Sequence, residues 1–150
     1  MTVRTSVLTD CLSVGNRLRP EDEAEIYAYA GLDGPQGLVT SYVNSAAALT
    51  VVIDGQPETM FGVGPSKSDA RVGIIWLLST PALFDIRKPF LRHSKAYIRL
   101  LSAPYDLVTN FVDARNAEHI RWLRWCGFKF LAKHEQFGFE SRPFYEVVKV

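Results

Sequence analysis

The run Val72-Gly-Ile-Ile-Trp-Leu-Leu78 is apolar on both of its alternate faces. A strand of that kind must be covered on both sides, so it belongs in the middle of a sheet with a layer above and a layer below. A second run, Leu107–Val112, reads the same way. Between them, from about Arg87 to Ser102, Phe90, Tyr97, Ile98 and Leu101 recur at helical spacing and predict a long helix with one buried stripe. Central strand, crossover helix, central strand implies a parallel pair with a right-handed connection.

The flanking segments place antiparallel neighbours around that pair. Leu49–Ile53 and Thr59–Val63 enclose Asp54-Gly55-Gln56-Pro57, the signature of a β-hairpin. Downstream, Asn116–Cys126 reads as a helix with Ile120, Leu123 and either Trp122 or Trp125 inward, closed by Gly127. Phe128–Lys133 and Phe144–Val150 alternate as a last antiparallel pair, with Phe128 and Phe130, then Tyr145 and Val147, on one face. Upstream, residues 3–9 are β-branched enough for an edge strand. Asp10 reads as the N-cap of a short helix to about Arg19. Pro20 opens a second helix, in which Glu21, Asp22 and Glu23 favour the positive end of the dipole. Ile26, Tyr29 and Ala30 form its apolar stripe and Gly31 its stop. A further short helix is expected around Leu38–Tyr42. The sum is one α/β domain over residues 1–150: a mixed, mostly antiparallel sheet with a central parallel strand pair and helices on both faces. Ligands in such sheets bind at the carboxyl ends of the central strands, here Leu77–Thr80 and Asp113–Asn116.

Composition narrows the partners. Seventeen basic against sixteen acidic side chains leave a formal net charge of +1, which gives no overall pull toward nucleic acid or anionic lipid. No apolar run approaches the length of a membrane span, and the first residues lack the apolar stretch of a signal peptide. Cys11 and Cys126 match no metal spacing and read as reduced thiols. His93, His119 and His134 are too dispersed to predict a metal site.

The run Asn116-Ala-Glu-His-Ile-Arg-Trp-Leu-Arg-Trp-Cys-Gly-Phe128 resembles the fourth helix of the acyl-CoA N-acyltransferase (GNAT) superfamily, with matches at Asn116, Ile120, Gly127 and Phe128. The element order matches over nearly the whole chain. More narrowly, Asn116–Gly127 with His119-Ile120-Arg121 inside, together with the Trp76-Leu-Leu-Ser-Thr stretch before a basic helix, resembles the GNAT-like internal virion protein A family of short-tailed bacteriophages. The resemblance implies a GNAT-like fold and a site for acetyl-CoA, with no metal. The positions it points to for the cofactor are Leu77, Leu78, Ser79, Arg87, Lys88 and Asn116. It names no catalytic residue.

Two departures bear on the chemistry. A GNAT site holds the CoA pyrophosphate on a glycine-rich loop at the start of the long helix, where backbone N–H groups converge. Residues 79–93 contain no glycine, and Pro89 removes one N–H. Arg87, Lys88 and Arg92 offer side-chain contacts to phosphate instead, against the simpler reading of a solvated basic helix end. The family also places a tyrosine seven residues after the helix asparagine, to protonate the leaving thiolate. Here that residue is Leu123, leaving Tyr97, Tyr105 or Tyr145 as substitutes. His119 reads either as a cleft base with a pKa suited to neutral pH or, more simply, as a partly exposed helix residue.

Two functions remain open on the sequence. One is a bacteriophage protein with a degenerate acyl-CoA site, associated with the virion or with assembly and ejection, and located in the virion or the host cytoplasm. The other is a working acetyl-CoA-dependent N-acetyltransferase acting on a host protein or a small amine. Both carry protein partners, from the phage particle or the host; neither involves a membrane. The Arg121, Arg124, Lys129 and Lys133 set beside aromatics is the one feature toward nucleic acid, and the balanced charge argues against it. Phe137-Gly-Phe139, in a predicted turn, is the candidate partner surface.

Overall fold

The computed structural model describes the chain from Met1 to Val150, apart from the side chains of residues 84–86. Thirteen elements follow in order. Strand β1 (Thr2–Thr5) leads to helices α1 (Leu8–Gly15), α2 (Pro20–Ala30) and α3 (Gly34–Val43). The hairpin strands β2 (Ala47–Ile53) and β3 (Gln56–Pro65) precede β4 (Val72–Ser79). A 3-10 turn (Pro81–Ile86) then feeds α4 (Arg87–Ser102), β5 (Leu107–Asp113) and α5 (Ala117–Trp125). Strands β6 (Lys129–Phe137) and β7 (Arg142–Lys149) close the chain.

The seven strands form one sheet in the order β1-β2-β3-β4-β5-β7-β6. Every pairing is antiparallel except β4 with β5. The expected mixed α/β sheet with a central parallel pair is therefore present. The two-sided apolarity of β4 has the predicted cause. Ile75 and Leu77 enter a core shared with Phe90 and Ile98 of α4 and Trp122 and Leu123 of α5. Trp76 and Leu78 enter a second core with Cys11 and Val14 of α1, Ile26 of α2 and Leu38 of α3. Both cysteines are buried and unpaired; burial pushes the Cys126 thiol up to about 11, which leaves it protonated and inert.

Local chemistry sets the turns. Asp54 and Gly55 both take positive φ (50° and 78°), the two-residue turn that matches the twist of β2 and β3. Gly64 faces the α3–β2 connection so closely that a Cβ would lie 2.0 Å from the Asn44 carbonyl oxygen. The β6–β7 tip folds back on α2, with Phe139 N–H donating to the Tyr29 carbonyl and Glu140 N–H to that of Ala28. Phe137 packs on Phe111 and Phe144, while Phe139 lies edge-on to Tyr27 and stays largely exposed.

Several local expectations change. The first helix begins at Leu8, and Asp10 lies inside it, not at its cap. The Asp10 carboxylate reaches back to the Val7 N–H and also binds Arg4 and Thr50. Burial opposes its charge, but Arg4, the Val7 amide and the Thr50 hydroxyl together hold its pKa below the ordinary carboxylate value. In α5, Trp122 is the inward tryptophan and Trp125 is exposed. In α2, Tyr29 and Ala30 are exposed, whereas Asp22 and Glu25 are buried beside Ile26. Their acidity conceals a buried face.

Phe61 is fully buried against Phe90 and Tyr97. Phe61→Ala is expected to cost about 3–5 kcal/mol in urea unfolding, while Leu131→Ala, on the exposed side of β6, shifts stability by less than about 0.5 kcal/mol.

Candidate functional site

The parallel ladder between β4 and β5 covers only Val72↔Leu107, Gly73↔Val108 and Ile74↔Thr109. Beyond it the strands part, and the gap has a defined lining. The Asn110 side-chain amide reaches across and donates to the Ile75 carbonyl. Strand alternation then aims the N–H and C=O of Leu77 and of Ser79 the same way, into the gap. No β5 backbone meets Leu77, because the ladder has already ended.

At Ser79 the gap is filled from within the chain. The Ser79 N–H donates to Asp22 Oδ2 at 3.0 Å, and the Ser79 carbonyl accepts the Arg19 N–H at 2.9 Å. The Arg19 guanidinium grips Asp22 through Nη2 (2.8 Å) and Nε (3.2 Å). The same Nη2 donates to Asn116 Oδ1 at 2.8 Å. Asn116 Nδ2 closes the ring on Asp22 Oδ1 at 2.9 Å. On the β5 side, the Asp113 N–H donates to Glu25 Oε1 at 2.7 Å, and Glu25 Oε2 lies 3.3 Å from His119 Nδ1, an ion-pair contact poorly aligned for a hydrogen bond. Asp22 is 0 % exposed, Asn116 1 %, Arg19 3 % and His119 4 %, so water does not compete for these bonds.

Helix geometry puts the plug there. Pro20 starts α2 after Arg19, and Asp22 and Glu25, three residues apart, fall on one face. That face points at the carboxyl ends of β4 and β5. Burial alone would lower the pKa of Arg19, but its bond to Asp22 raises it above the ordinary value. His119 behaves likewise. Burial opposes its charge, yet Glu25 first and Asp22 after it leave its pKa above the ordinary histidine value.

Two cavities flank the plug. One, about 300 Å³, lies between α4 and α5 and is lined by Leu77, Arg87, Phe90, Glu118, His119 and Trp122 among others. The other, about 680 Å³, lies on the α2–α3 face and includes Glu25, Tyr29, Trp76, Asn110, Phe111 and His119. Leu77 and His119 line both.

The residues singled out in the sequence are dispersed around this arrangement. Leu77 and Arg87 line the smaller cavity, and Leu78 the larger. Ser79 and Asn116 are bound up with α2. Lys88 is exposed and lines neither cavity. Leu123 is 1 % exposed in the core. None of the substitute tyrosines lines either cavity: Tyr97 packs on Phe61, Tyr105 against Gly73, and Tyr145 on Phe130. His119, read more simply as partly exposed, is buried. His93 and Arg92 are exposed, and His134 pairs with Glu146 at 2.8 Å. Among the described residues no group of His, Cys, Asp and Glu is placed to hold a metal ion. Arg19, Asp22 and Glu25 carry the site yet escaped the sequence reading. The readable signal was their phase: Asp22, Glu25, Ile26 and Tyr29 share one helical stripe.

The Ser79 end of the slot is closed from within the chain. An extended ligand would hydrogen-bond the β4 edge, but both backbone groups of Ser79 are already satisfied. At the following turn, the Ala82 N–H is taken by Thr80 Oγ1 and the Leu83 N–H points to the Thr80 carbonyl. Pro89 has no N–H to give.

The architecture nevertheless has close counterparts. An acetyltransferase of the GNAT family from Streptococcus pneumoniae superposes with a TM-score of 0.65 at 11% identity, covering 99% of this chain and 97% of that one. The ribosomal-protein-alanine N-acetyltransferase of Brucella melitensis superposes with a TM-score of 0.69 at 15% identity, covering 100% of this chain and 99% of that one. The chain has the GNAT acetyltransferase fold. A putative acetyltransferase from Salmonella typhimurium, solved with its cofactor acetyl-CoA, gives a TM-score of 0.71 at 15% identity over 99% of this chain and 92% of that one. No family model and no curated protein matches the sequence.

Removing one member of a buried ion pair strands the other. Asp22→Ala is therefore expected to cost about 3–5 kcal/mol in chemical denaturation, while Arg19→Met with Asp22→Leu, which removes both charges, is expected to cost less but to stay destabilising, because the Ser79 N–H and the Asn116 side chain lose their partners. A second expectation concerns pH. Because the folded pKa of His119 is raised, its stabilising contribution is complete below the unfolded value of about 6.5 and is lost as pH rises through the folded value. Thermal unfolding across that window should show a wild-type decline that His119→Gln lacks.

Proposed function

We propose that this GNAT-fold chain does not turn over acyl-CoA and works through protein contacts, as a component of a short-tailed bacteriophage particle or of its assembly or ejection. The observation that carries the first half is the occupation of both Ser79 backbone groups by α2. The position where a cofactor arm would add to the β4 edge holds a fully buried carboxylate. The lack of a glycine loop and the burial of Leu123 in the tyrosine position support the same reading. The phage half rests on the resemblance of Asn116–Gly127 to the internal virion protein A helix, and places the protein in the virion or the host cytoplasm. Among the described residues no helix is long and apolar enough to cross a membrane.

A second reading, an acetyl-CoA-dependent N-acetyltransferase acting on a host protein or a small amine, has one observation in its favour. The Leu77 backbone edge is unladdered by β5, and Leu77 lines both cavities. Such an enzyme requires α2 to withdraw before cofactor enters. Isothermal calorimetry with acetyl-CoA separates the readings: the wild-type chain is expected to give no stoichiometric heat at micromolar concentration, and a saturable one-to-one isotherm overturns the closed-slot reading. Mass spectrometry of purified particles tests the virion location. Finding the chain there supports the structural role, and its absence restricts that role to assembly or the host.

A further inference from the structure

The plug is more than a filled space, because α2 joins both sides of the gap with separate carboxylates. Asp22 holds β4 at the Ser79 N–H, and Glu25 holds β5 at the Asp113 N–H. These are the last residues of their strands, so α2 replaces the missing ladder bonds with side-chain bonds. Three basic groups face three acidic ones: Arg19, Arg115 and His119 against Asp22, Asp113 and Glu25. Every element packed there contributes. Strand β4 supplies Ser79, and the β5–α5 turn supplies Arg115 and Asn116, with Arg115 held on Asp113 at 2.7 Å. Helix α5 supplies His119 and, at the more exposed rim, Glu118 paired with Arg121. Glu21 lies half-exposed, 3.9 Å from Arg19. Arg87 of α4 faces the adjoining cavity. From the β6–β7 tip, Glu140 adds a long-range attraction for Arg115.

Resting on the closed-slot reading above, we propose that α2 is a latch that opens as a unit, releasing Ser79 and Asp113 together and joining the two cavities through the gap, with His119 as the proton-sensitive catch. Loss of the His119 proton leaves the buried cluster with an uncompensated carboxylate, which water stabilises only if α2 lifts. The rest of the sheet has no part in that event: the Met60↔Leu78 and Phe61↔Leu77 ladder pairs lie on the other edge of β4. The direction follows from the raised pKa of His119: closed below, opening as pH rises through it.

Native-state amide hydrogen exchange, read residue by residue on the full chain, tests this. After correction for hydroxide catalysis, Ser79 and Asp113 should share one opening constant, which rises with pH on the order of tenfold while Leu78 stays at the global limit. His119→Gln should remove the pH dependence and leave both amides at the high-pH level. Asp22→Asn, which weakens the acceptor of Ser79 but leaves that of Asp113 in place, should loosen Asp113 as well as Ser79. Exchange of the two amides by unrelated constants, or only through global unfolding at every pH, overturns the latch. So does an Asp22→Asn effect confined to Ser79, which remains readable if His119→Gln fails to fold. None of these outcomes depends on acetyl-CoA, so the latch fails or stands apart from the calorimetric test of the closed slot.

Discussion

The carboxylate of Asp22 is the constraint around which the carboxyl end of the sheet is organised. It accepts from the Ser79 amide, the Arg19 guanidinium and the Asn116 side chain at once. Those donors come from the end of β4, the start of α2 and the cap of α5, separated by up to 97 residues in sequence. A carboxylate with no exposed surface is tolerable only when its lone pairs are filled by charged or polarised donors. Here they are filled by groups that would otherwise be orphans, since a parallel pair that stops after Ile74 leaves the next β4 amides without a strand to meet.

This answer has a cost in net stability. A buried ion pair of this kind seldom outperforms well-packed apolar side chains, because desolvation offsets most of the Coulombic gain. What such a pair supplies is direction. Leucine at 22 would let α2 settle at several depths over the gap, whereas the planar fork of Arg19 on Asp22 fixes one. Glu25 repeats the bond one helical turn on, and the β6–β7 tip fastens the far end of α2 through the carbonyls of Ala28 and Tyr29. The helix is therefore held at both ends by polar bonds and only modestly by apolar burial, with Ile26 as its main apolar contribution. Lifting such an element withdraws Ile26 from the second core but leaves the core between α4, α5 and the sheet intact.

Much of the fold was readable because its signals are local or periodic. The apolarity of Val72–Leu78 on both faces fixed β4 as central, and the stripe from Phe90 to Leu101 fixed α4 at its observed bounds. The site was less readable, because its decisive bonds join residues far apart whose types carry a strong local explanation. Glu21, Asp22 and Glu23 look like ordinary acids at a helix start, and only Asp22 is buried. His119 read as partly exposed because nothing local in the sequence signals Glu25, its partner from α2. Asp10 misled for the opposite reason: its capping chemistry is real, but it acts from inside the helix on the Val7 amide.

The residues that carry the family likeness each have a structural task here, which limits what that likeness says about chemistry. Asn116 stands at the cap of α5 yet makes no side-chain cap bond, because its amide is spent on Asp22 and Arg19. Gly127 takes φ of 92°, a turn conformation that would strain a side chain. Phe128 is 5 % exposed in the larger core. Ile120 packs against the same core, so all four can be maintained by folding alone. Activity in this fold would draw on different features: a free β4 edge, converging amides at the start of the long helix, and a proton donor facing the gap. In this chain those positions hold a carboxylate latch, a self-capped 3-10 turn and a buried leucine. A helix motif can thus be legible for reasons of folding, since fold and chemistry make demands on different residues.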